Sequence, residues 1–222
     1  LEGVFGQVHK VTTTKKLIEA KELADLKICI RLLKYSDKEK KLVKGMNYAE
    51  ELDWLVTNPN RNAVIKDITI EQEGNTLVLF QFVEKHGKVL HEIISKEVDA
   101  NRKVFFVHGS VDTETREQVR AITEKENDAI IIASYGTFST GINIRNLHNI
   151  VFASSGKSRI RNLQSIGRGL RKGDEKVACK LFDLGDDLKS GDRDNYTLKH
   201  LKERVKIYNQ EGFEYDLEAV PT

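Results

Sequence analysis

The sequence predicts an α/β fold in which a parallel sheet is flanked by helices on both faces. Between residues 74 and 185, short continuous apolar runs alternate with stretches of helical apolar spacing. Continuous apolar strands are typical of a sheet that is buried on both faces. Strands that alternate with helices form parallel sheets through right-handed crossovers. We find no internal repeat or low-complexity tract that would favour another architecture.

Five strands and three connecting helices are predicted in this region. The strands are residues 76–82, 103–107, 129–133, 147–152 and 177–184. The helices are residues 84–98, 111–124 and 160–170, and Asp112 or Thr113 is expected to cap the second of them. A last helix over residues 197–208 is expected to end near Asn209 and Gly212.

The first third of the chain predicts smaller elements. A short strand over residues 7–11 precedes a helix over residues 15–24, and residues 26–33 are a strand rich in branched side chains. The lysine-rich residues 34–48 are interpreted as a connection whose lysines are solvated. Residues 48–70 predict a helix that is interrupted at Asn58, because Pro59 disfavours helical geometry in the residue before it.

Composition limits the function classes. The 222 residues include 36 Lys and Arg against 34 Asp and Glu, so a nucleic-acid partner would have to be met by a local basic patch. Cys29 and Cys179 lie in apolar runs without metal-ligand spacing and are expected to be core residues of a reduced protein. We expect neither a membrane span nor a signal peptide, and Leu1 in place of Met indicates a piece of a longer protein.

Turns rich in glycine, hydroxyl and basic residues follow the predicted strands. In α/β sheets, ligands bind beyond the carboxyl ends of the strands, so these turns should lie along one edge. Hydroxyl, amide and basic donors are the groups that position a sugar–phosphate backbone. The candidate residues at this edge are Lys85, Gly109, Ser110, Arg116, Ser134, Thr140, Gly141, Asn143 and Lys157.

Two arginines and a glutamine form the most informative pattern. Gln164, Arg168 and Arg171 complete a Q-x-x-G-R-x-x-R sequence, and residues three apart are neighbours on one helix face. Paired guanidinium groups suit a phosphate with several negative oxygens. The alternative is a solvated basic helix end.

Taken in order, these segments resemble the second RecA-like lobe of superfamily 2 helicases. Residues 77–85 resemble motif IV, and His108–Gly109 with Arg116 resembles an element that grips a nucleic-acid phosphate. Residues 134–143 resemble motif V, and residues 164–171 resemble motif VI. The resemblance covers nearly the whole chain. It implies a RecA-like domain over residues 27–222, with residues 1–26 as the tail of the first lobe or the linker between lobes.

The resemblance also implies roles for the candidate residues. Arg168 and Arg171 would act as arginine fingers with Gln164 beside them, and Gly141 and Asn143 would contact the nucleotide. Many relatives have Asp at the position of Asn143. The residues expected to contact nucleic acid are Lys85, Gly109, Ser110, Arg116, Ser134, Thr140 and Lys157. The implied cofactor is ATP with Mg²⁺, held mainly by the first lobe.

Two other patterns are not interpreted as sites. Gly156–Lys157–Ser158 ends like a phosphate-binding loop, but Val151 stands where that loop needs glycine. The aspartates Asp183, Asp186 and Asp187 are interpreted as solvated carboxylates at a strand end and turn. His108 is expected to have a structural role and no catalytic one.

The chain lacks two motifs that nucleotide hydrolysis requires. It has neither a G-x-x-x-x-G-K-[ST] loop nor an acidic box for magnesium and water. By itself it is therefore expected to be inactive.

We interpret the chain as the C-terminal motor lobe of an ATP-dependent DNA helicase, in the cytoplasm of a bacterial or phage-infected cell. The resemblance implies action on branched or single-stranded DNA in recombination and repair, by unwinding, branch migration or annealing. The expected partner is the N-terminal RecA-like lobe. A non-hydrolysing RecA-like binding module is the main alternative, and a nucleotide-binding transferase would need a catalytic pair that the sequence does not show.

Overall fold

The computed structural model of the chain describes residues 25–137, 144, 146–154 and 178–222. Within these residues, one sheet contains seven strands. They are β1 (Asp25–Lys34), β2 (Thr76–Phe80), β3 (Val104–Val107), β4 (Ile130–Ser134), β5 (Asn149–Phe152), β6 (Ala178–Asp187) and β7 (Tyr215–Pro221). The predicted strand over residues 7–11 and the predicted helices over residues 15–24 and 160–170 lie outside the described residues.

The strand order is β3-β4-β2-β5-β6-β1-β7, and every neighbouring pair is parallel. This confirms the predicted parallel α/β sheet. The described α-helices are α1 (Asp37–Val43), α2 (Tyr48–Thr57), α3 (Pro59–Ile70), α4 (Lys88–Glu97), α5 (Thr113–Thr123) and α6 (Tyr196–Glu211).

Helices cover both faces of the sheet because successive strand residues point to opposite sides. On one face, Ile28 and Ile30 of β1 pack in a cluster with Leu198 and Tyr208 of α6. On the other face, a second cluster contains Cys29 of β1 with side chains from α2, α3 and α4. Cys29 and Cys179 are buried free thiols, as predicted. The core is therefore two apolar layers separated by the sheet.

The lysine-rich residues 34–48, predicted as a connection, contain helix α1. Ser36 begins it with a capping box: its hydroxyl accepts a hydrogen bond from the Glu39 amide, and the Glu39 carboxylate accepts one from the Ser36 amide at 2.9 Å. These bonds satisfy amide groups that a helix start leaves unpaired. The hydrogen bond from the Ser36 hydroxyl is the main cause of a lowered Glu39 pKa.

The predicted break near residue 58 is confirmed. Helix α2 ends at Thr57, and the Asn58 side chain accepts a hydrogen bond from the Arg61 amide at 3.1 Å to start α3. Pro59 occupies the first turn of α3, where its missing amide hydrogen is not needed.

Strand β2 is shorter than predicted. It ends at Phe80, and a single π-helical turn, Val83–Gly87, leads directly into α4. A side chain at position 87 would place its Cβ 2.5 Å from the Phe80 ring. The absence of a side chain at Gly87 therefore lets this turn pack onto the end of β2.

Strand β7 was not predicted, although its sequence alternates apolar and acidic residues. It follows Gly212, which ends α6 with φ 74, and it pairs with β1 at the edge of the sheet. None of the described helices is long and apolar enough to cross a membrane.

Candidate nucleic-acid interface

The carboxyl ends of β3, β4, β2 and β5 lie together along one edge of the sheet. The register pairs Val107 with Ala133, Phe80 with Ser134, and Leu79 with Phe152. The turns that follow these strands therefore emerge side by side, as the sequence predicted for its glycine and hydroxyl residues.

The turn after β3 is built from His108 to Val111 and held by Arg116. The Val111 amide donates to the His108 carbonyl at 3.0 Å. From α5, the Arg116 Nε donates to the Val111 carbonyl at 2.7 Å, and its Nη2 approaches the Gly109 carbonyl at 3.5 Å. Arg116 makes no ion pair with another described residue. Its charge is thus oriented by carbonyl groups and not neutralised by any carboxylate that the structure describes.

Gly109 and Ser110 are exposed on this turn. A Cβ added at Gly109 would meet no atom within 4 Å, so the space beside the Gly109 backbone is open. A phosphate group can approach the backbone there without displacing any described residue. The carboxylate of Asp112 caps α5 by accepting from the Thr115 amide at 2.8 Å, and this bond is the main cause of its lowered pKa.

Ser134 stands at the end of β4 and caps the turn that follows. Its Oγ lies 2.8 Å from the Thr137 Oγ1 and accepts from the Thr137 amide at 3.4 Å. The hydroxyl is half-buried, so its present role is to fix the direction in which the chain leaves β4.

Lys85 lies in the π-helical turn after β2, and its ammonium group already contacts two other side chains. Its Nζ forms an ion pair with Asp53 and lies 4.4 Å from the centre of the Phe82 ring. Side chains of both ion-pair members are about half exposed, and exposed pairs of this kind contribute little to stability. Exchange of the Asp53 partner for a phosphate would therefore cost little.

A buried polar network behind this edge was not predicted. Ser154, after β5, accepts from the Gln81 amide at 3.2 Å, and its hydroxyl lies 3.1 Å from Nδ1 of the fully buried His86. The Tyr135 hydroxyl reaches the Ser154 carbonyl at 3.4 Å. These bonds tie the ends of β2, β4 and β5 together and so keep the edge rigid.

Two buried arginines hold the β6 side of the sheet. Arg61 from α3 donates to Asp186 from Nε at 2.8 Å and to the Ala153 carbonyl from Nη1 at 2.8 Å, and Tyr35 donates to the same Asp186 at 2.7 Å. Arg204 from α6 and Tyr208 both donate to Asp183, at 2.8 and 2.7 Å.

The interpretation of Asp183 and Asp186 as solvated turn carboxylates is therefore wrong. Both are fully buried, because β6 continues to Asp187 and lies between β5 and β1 with helices on both faces. Asp187 does face solvent in part, and it pairs with Lys34. Burial raises the pKa of the tyrosines Tyr35 and Tyr208, and the neighbouring carboxylates raise it further.

Several predicted site residues lie outside the described residues. They are Thr140, Gly141, Asn143, Lys157, Gln164, Arg168 and Arg171. The last four belong to residues 155–177, which connect the neighbouring strands β5 and β6 in the sequence. Among the described residues, no group of three or more His, Cys, Asp or Glu side chains could hold a metal ion.

Comparison with known proteins supports the helicase interpretation. Residues 60–173 match the family described as the helicase conserved C-terminal domain. The chain is 38% identical over 231 aligned residues to the ATP-dependent DNA helicase uvsW of Enterobacteria phage T4. That alignment covers 98% of this chain and 45% of the phage protein, so the chain spans about half the length of this relative.

Solved structures agree with this result. The crystal structure of T4 UvsW matches with a TM-score of 0.77 at 37% identity, over 99% of this chain and 44% of that one. The C-terminal domain of the DEAD-box protein Dbp5 matches with a TM-score of 0.53 at 12% identity, over 91% of this chain and 92% of that one. The second likeness shows a shared fold only. With the family match, the UvsW similarity and the parallel sheet together, the chain belongs to the superfamily 2 helicases as their C-terminal, RecA-like lobe.

Proposed function

We propose that this lobe works in an ATP-dependent DNA helicase that acts on branched DNA. The observation that carries the proposal is the 38% identity, over 98% of the chain, to an ATP-dependent DNA helicase. The chain would supply arginine fingers and DNA-backbone contacts, and a separate N-terminal RecA-like lobe would hold ATP with Mg²⁺. Its place of action would be the cytoplasm of a bacterial or phage-infected cell.

The DNA contacts would be made at the open edge after β3 and β4. Arg116 there is oriented by the carbonyls of Gly109 and Val111, and the Gly109 backbone is open to a ligand. Donors of this kind contact phosphate and sugar and position a duplex or single strand without reading its sequence. The proposed contact residues are Lys85, Gly109, Ser110, Arg116, Ser134, Thr140 and Lys157.

The ATP site would be completed by the motif that lies between β5 and β6 in the sequence. Arg168 and Arg171 would stabilise the charge that develops on the γ-phosphate, with Gln164 ordering the same edge. Gly141 and Asn143 would contact the nucleotide from the segment after β4, and the Asn143 amide can form hydrogen bonds where many relatives have a carboxylate. Cycles of hydrolysis would then open and close the cleft between the lobes.

The test is DNA-stimulated ATP hydrolysis by the full-length protein with Arg168→Ala or Arg171→Ala. Removal of an arginine finger lowers the rate by roughly 10³–10⁵ in the best-studied nucleotide hydrolases, which is about 4–7 kcal/mol of barrier. Lysine at either position should restore little, because it lacks the planar fork. Arg120→Ala, on the exposed face of α5, is the matched control and should keep the wild-type rate.

Circular dichroism would establish that each variant is folded. A turnover within about threefold of the wild type for both alanine variants, against the loss expected for a finger, would remove Arg168 and Arg171 from the ATP site. The binding-module alternative instead predicts no DNA-stimulated ATP hydrolysis by the wild type, together with DNA binding that does not depend on Arg168 or Arg171.

A further inference from the structure

A second basic surface lies at the other end of the same sheet edge. It consists of Lys38, Lys41 and Lys44 on and after α1, with Arg193 from the segment before α6 and Lys199 from the first turn of α6. All five side chains belong to exposed residues, and none forms an ion pair with another described residue. We call these five residues the α1 basic surface.

Two cavities that adjoin α1 contain these cations. Lys38 and Lys41 line a cavity of about 690 Å³ with Leu42, Asn60 and Thr222. Lys44, Arg193 and Lys199 line a cavity of about 170 Å³ beside the loop after β6. The positive charge is therefore spread over two concave regions that share α1, and not confined to one point.

The carboxylates near the α1 basic surface are mostly occupied. Glu39 closes the capping box of α1, Asp187 pairs with Lys34, and Asp194 pairs with Lys202. The buried Glu51 accepts from the Thr197 amide at 2.8 Å at the start of α6. Elsewhere most lysines do have carboxylate partners, as in the Lys66–Glu97 and Lys103–Glu126 pairs. The five cations of the α1 basic surface thus differ from most other lysines in having no ion-pair partner among the described residues.

This charge suits the phosphate backbone of duplex DNA better than a single strand. Surfaces that bind single strands combine cations with aromatic side chains on which bases stack. Among the described residues, Tyr196 is the one aromatic that lines the smaller cavity, and none lines the larger. The Tyr196 ring centre lies 5.6 Å from the Lys199 Nζ and 6.0 Å from the centre of the Tyr48 ring. Duplex backbone is contacted mainly by cations and polar donors without stacking.

The α1 basic surface lies apart from the turns after β3 and β4 that the proposed function uses, although it shares their sheet edge. In the strand order, β1 lies five strands from β3, and at about 4.8 Å per strand the two regions are about 24 Å apart. That distance corresponds to about seven base pairs of duplex at 3.4 Å each. Both regions lie at the carboxyl edge of one parallel sheet, so two parts of one DNA molecule can reach them together.

We propose that the α1 basic surface binds the phosphate backbone of a duplex arm of branched DNA while the turns after β3 and β4 hold the translocated strand. The inference rests on the proposed function, because it names how the branched substrate is held. It assigns to α1 a contact that motifs IV, V and VI do not provide.

The test compares the full-length protein with its Lys38→Gln/Lys41→Gln/Lys44→Gln variant in salt titrations of binding. With a forked duplex as probe, the triple variant should bind about tenfold more weakly. The slope of log affinity against log salt concentration should also decrease in magnitude by up to about three. With a short single strand as probe, affinity should fall by less than about threefold, since that probe lacks the duplex arm. Lys125 is an exposed lysine at the opposite sheet edge and forms no ion pair with a described residue. Lys125→Gln is therefore the control and should match the wild type on both probes.

Unchanged affinity and salt slope for the forked duplex would overturn the inference while leaving the proposed function intact. An equal loss on both probes would also overturn it, because the surface would then hold the single strand. A wild-type protein without DNA affinity or DNA-stimulated ATP hydrolysis would instead refute the proposed function, and the inference with it. Surface substitutions of this kind rarely affect folding, and a thermal unfolding curve would verify this.

Discussion

Two regions of the sheet, around β6 and after β3, hold arginine in opposite ways. Arg61 and Arg204, on the β6 side, are 1% exposed and each is bound to a buried carboxylate. Arg116, beside the turn after β3, is half-buried, and among the described residues its side chain is bonded only to backbone carbonyls. A carboxylate neutralises a guanidinium, whereas a carbonyl orients it and leaves its charge available. The difference separates arginines that hold the fold from an arginine that can bind a phosphate.

Two neighbouring aspartates on β6 show a similar contrast, between a buried and an exposed ion pair, within one strand. Asp186 is fully buried and bound by Arg61 and Tyr35, whereas Asp187 pairs with a lysine whose side chain is 46% exposed. Because a buried charge that loses its partner cannot be solvated, the two pairs should differ widely in their contribution to stability.

The largest expected effect is that of Arg61→Met on the free energy of unfolding. Loss of Arg61 leaves the Asp186 carboxylate buried without its cation and should cost about 3–5 kcal/mol. Lys34→Met breaks the exposed pair with Asp187 and should cost at most about 1 kcal/mol. Denaturant titration of both variants measures the comparison.

A second variant sharpens this result. Arg61→Met combined with Asp186→Leu removes both charges and should recover much of the lost stability, because the unpaired buried carboxylate is gone. Equal costs for Arg61→Met and Lys34→Met would show that burial does not separate the two pairs.

A smaller effect is expected from the two buried tyrosines at high pH. Burial, followed by the nearby Asp186 and Asp183 carboxylates, raises the pKa of Tyr35 and Tyr208 above the ordinary value. The stability from each is present below the unfolded pKa of about 10 and is lost as pH rises toward the folded pKa. Each tyrosine should therefore remove up to about 1.4 kcal/mol per pH unit above that point.

Alkaline titration followed by tyrosinate absorbance measures this directly. Of the six tyrosines, Tyr35 and Tyr208 should ionise last, together with unfolding. The double variant Tyr35→Phe/Tyr208→Phe should lack this last ionisation step in its titration curve. A native titration curve identical to that of the unfolded chain would contradict the raised pKa values.

Much of the fold could be predicted from local sequence. The continuous apolar runs located β2 to β6 within a few residues, and Pro59 located the break between α2 and α3. Helix α1 was not predicted, although Ser36 and Glu39 have the spacing of a capping box that begins a helix. Strand β7 was missed although Tyr215, Leu217 and Ala219 alternate with acidic residues. The strand order could not be predicted, because it depends on contacts between distant segments.

The candidate site was likewise predictable from the sequence only in part. Glycine and hydroxyl residues after strands predicted the open edge, since all parallel strands end there. The buried partners of Asp183 and Asp186 could not be predicted, because Arg204 is 21 residues from Asp183 and Arg61 is 125 residues from Asp186 in sequence. The roles of Arg168 and Arg171 came from a motif resemblance and stay predictions.

The most direct test of the contrast between these two regions is the binding of DNA by the full-length protein with Arg116→Ala. The neighbouring Arg120→Ala, one helical turn along α5 and paired with Glu117, is the matched control. Affinity should be measured over a series of salt concentrations and on two unrelated DNA sequences, with thermal unfolding recorded for each variant.

Arg116→Ala should weaken binding to both sequences equally and reduce the salt slope by about one, while Arg120→Ala leaves both unchanged. This result would establish that the guanidinium held by the Gly109 and Val111 carbonyls is available to a phosphate. An Arg116→Ala protein that remains folded and binds DNA with unchanged affinity and salt slope would contradict the account.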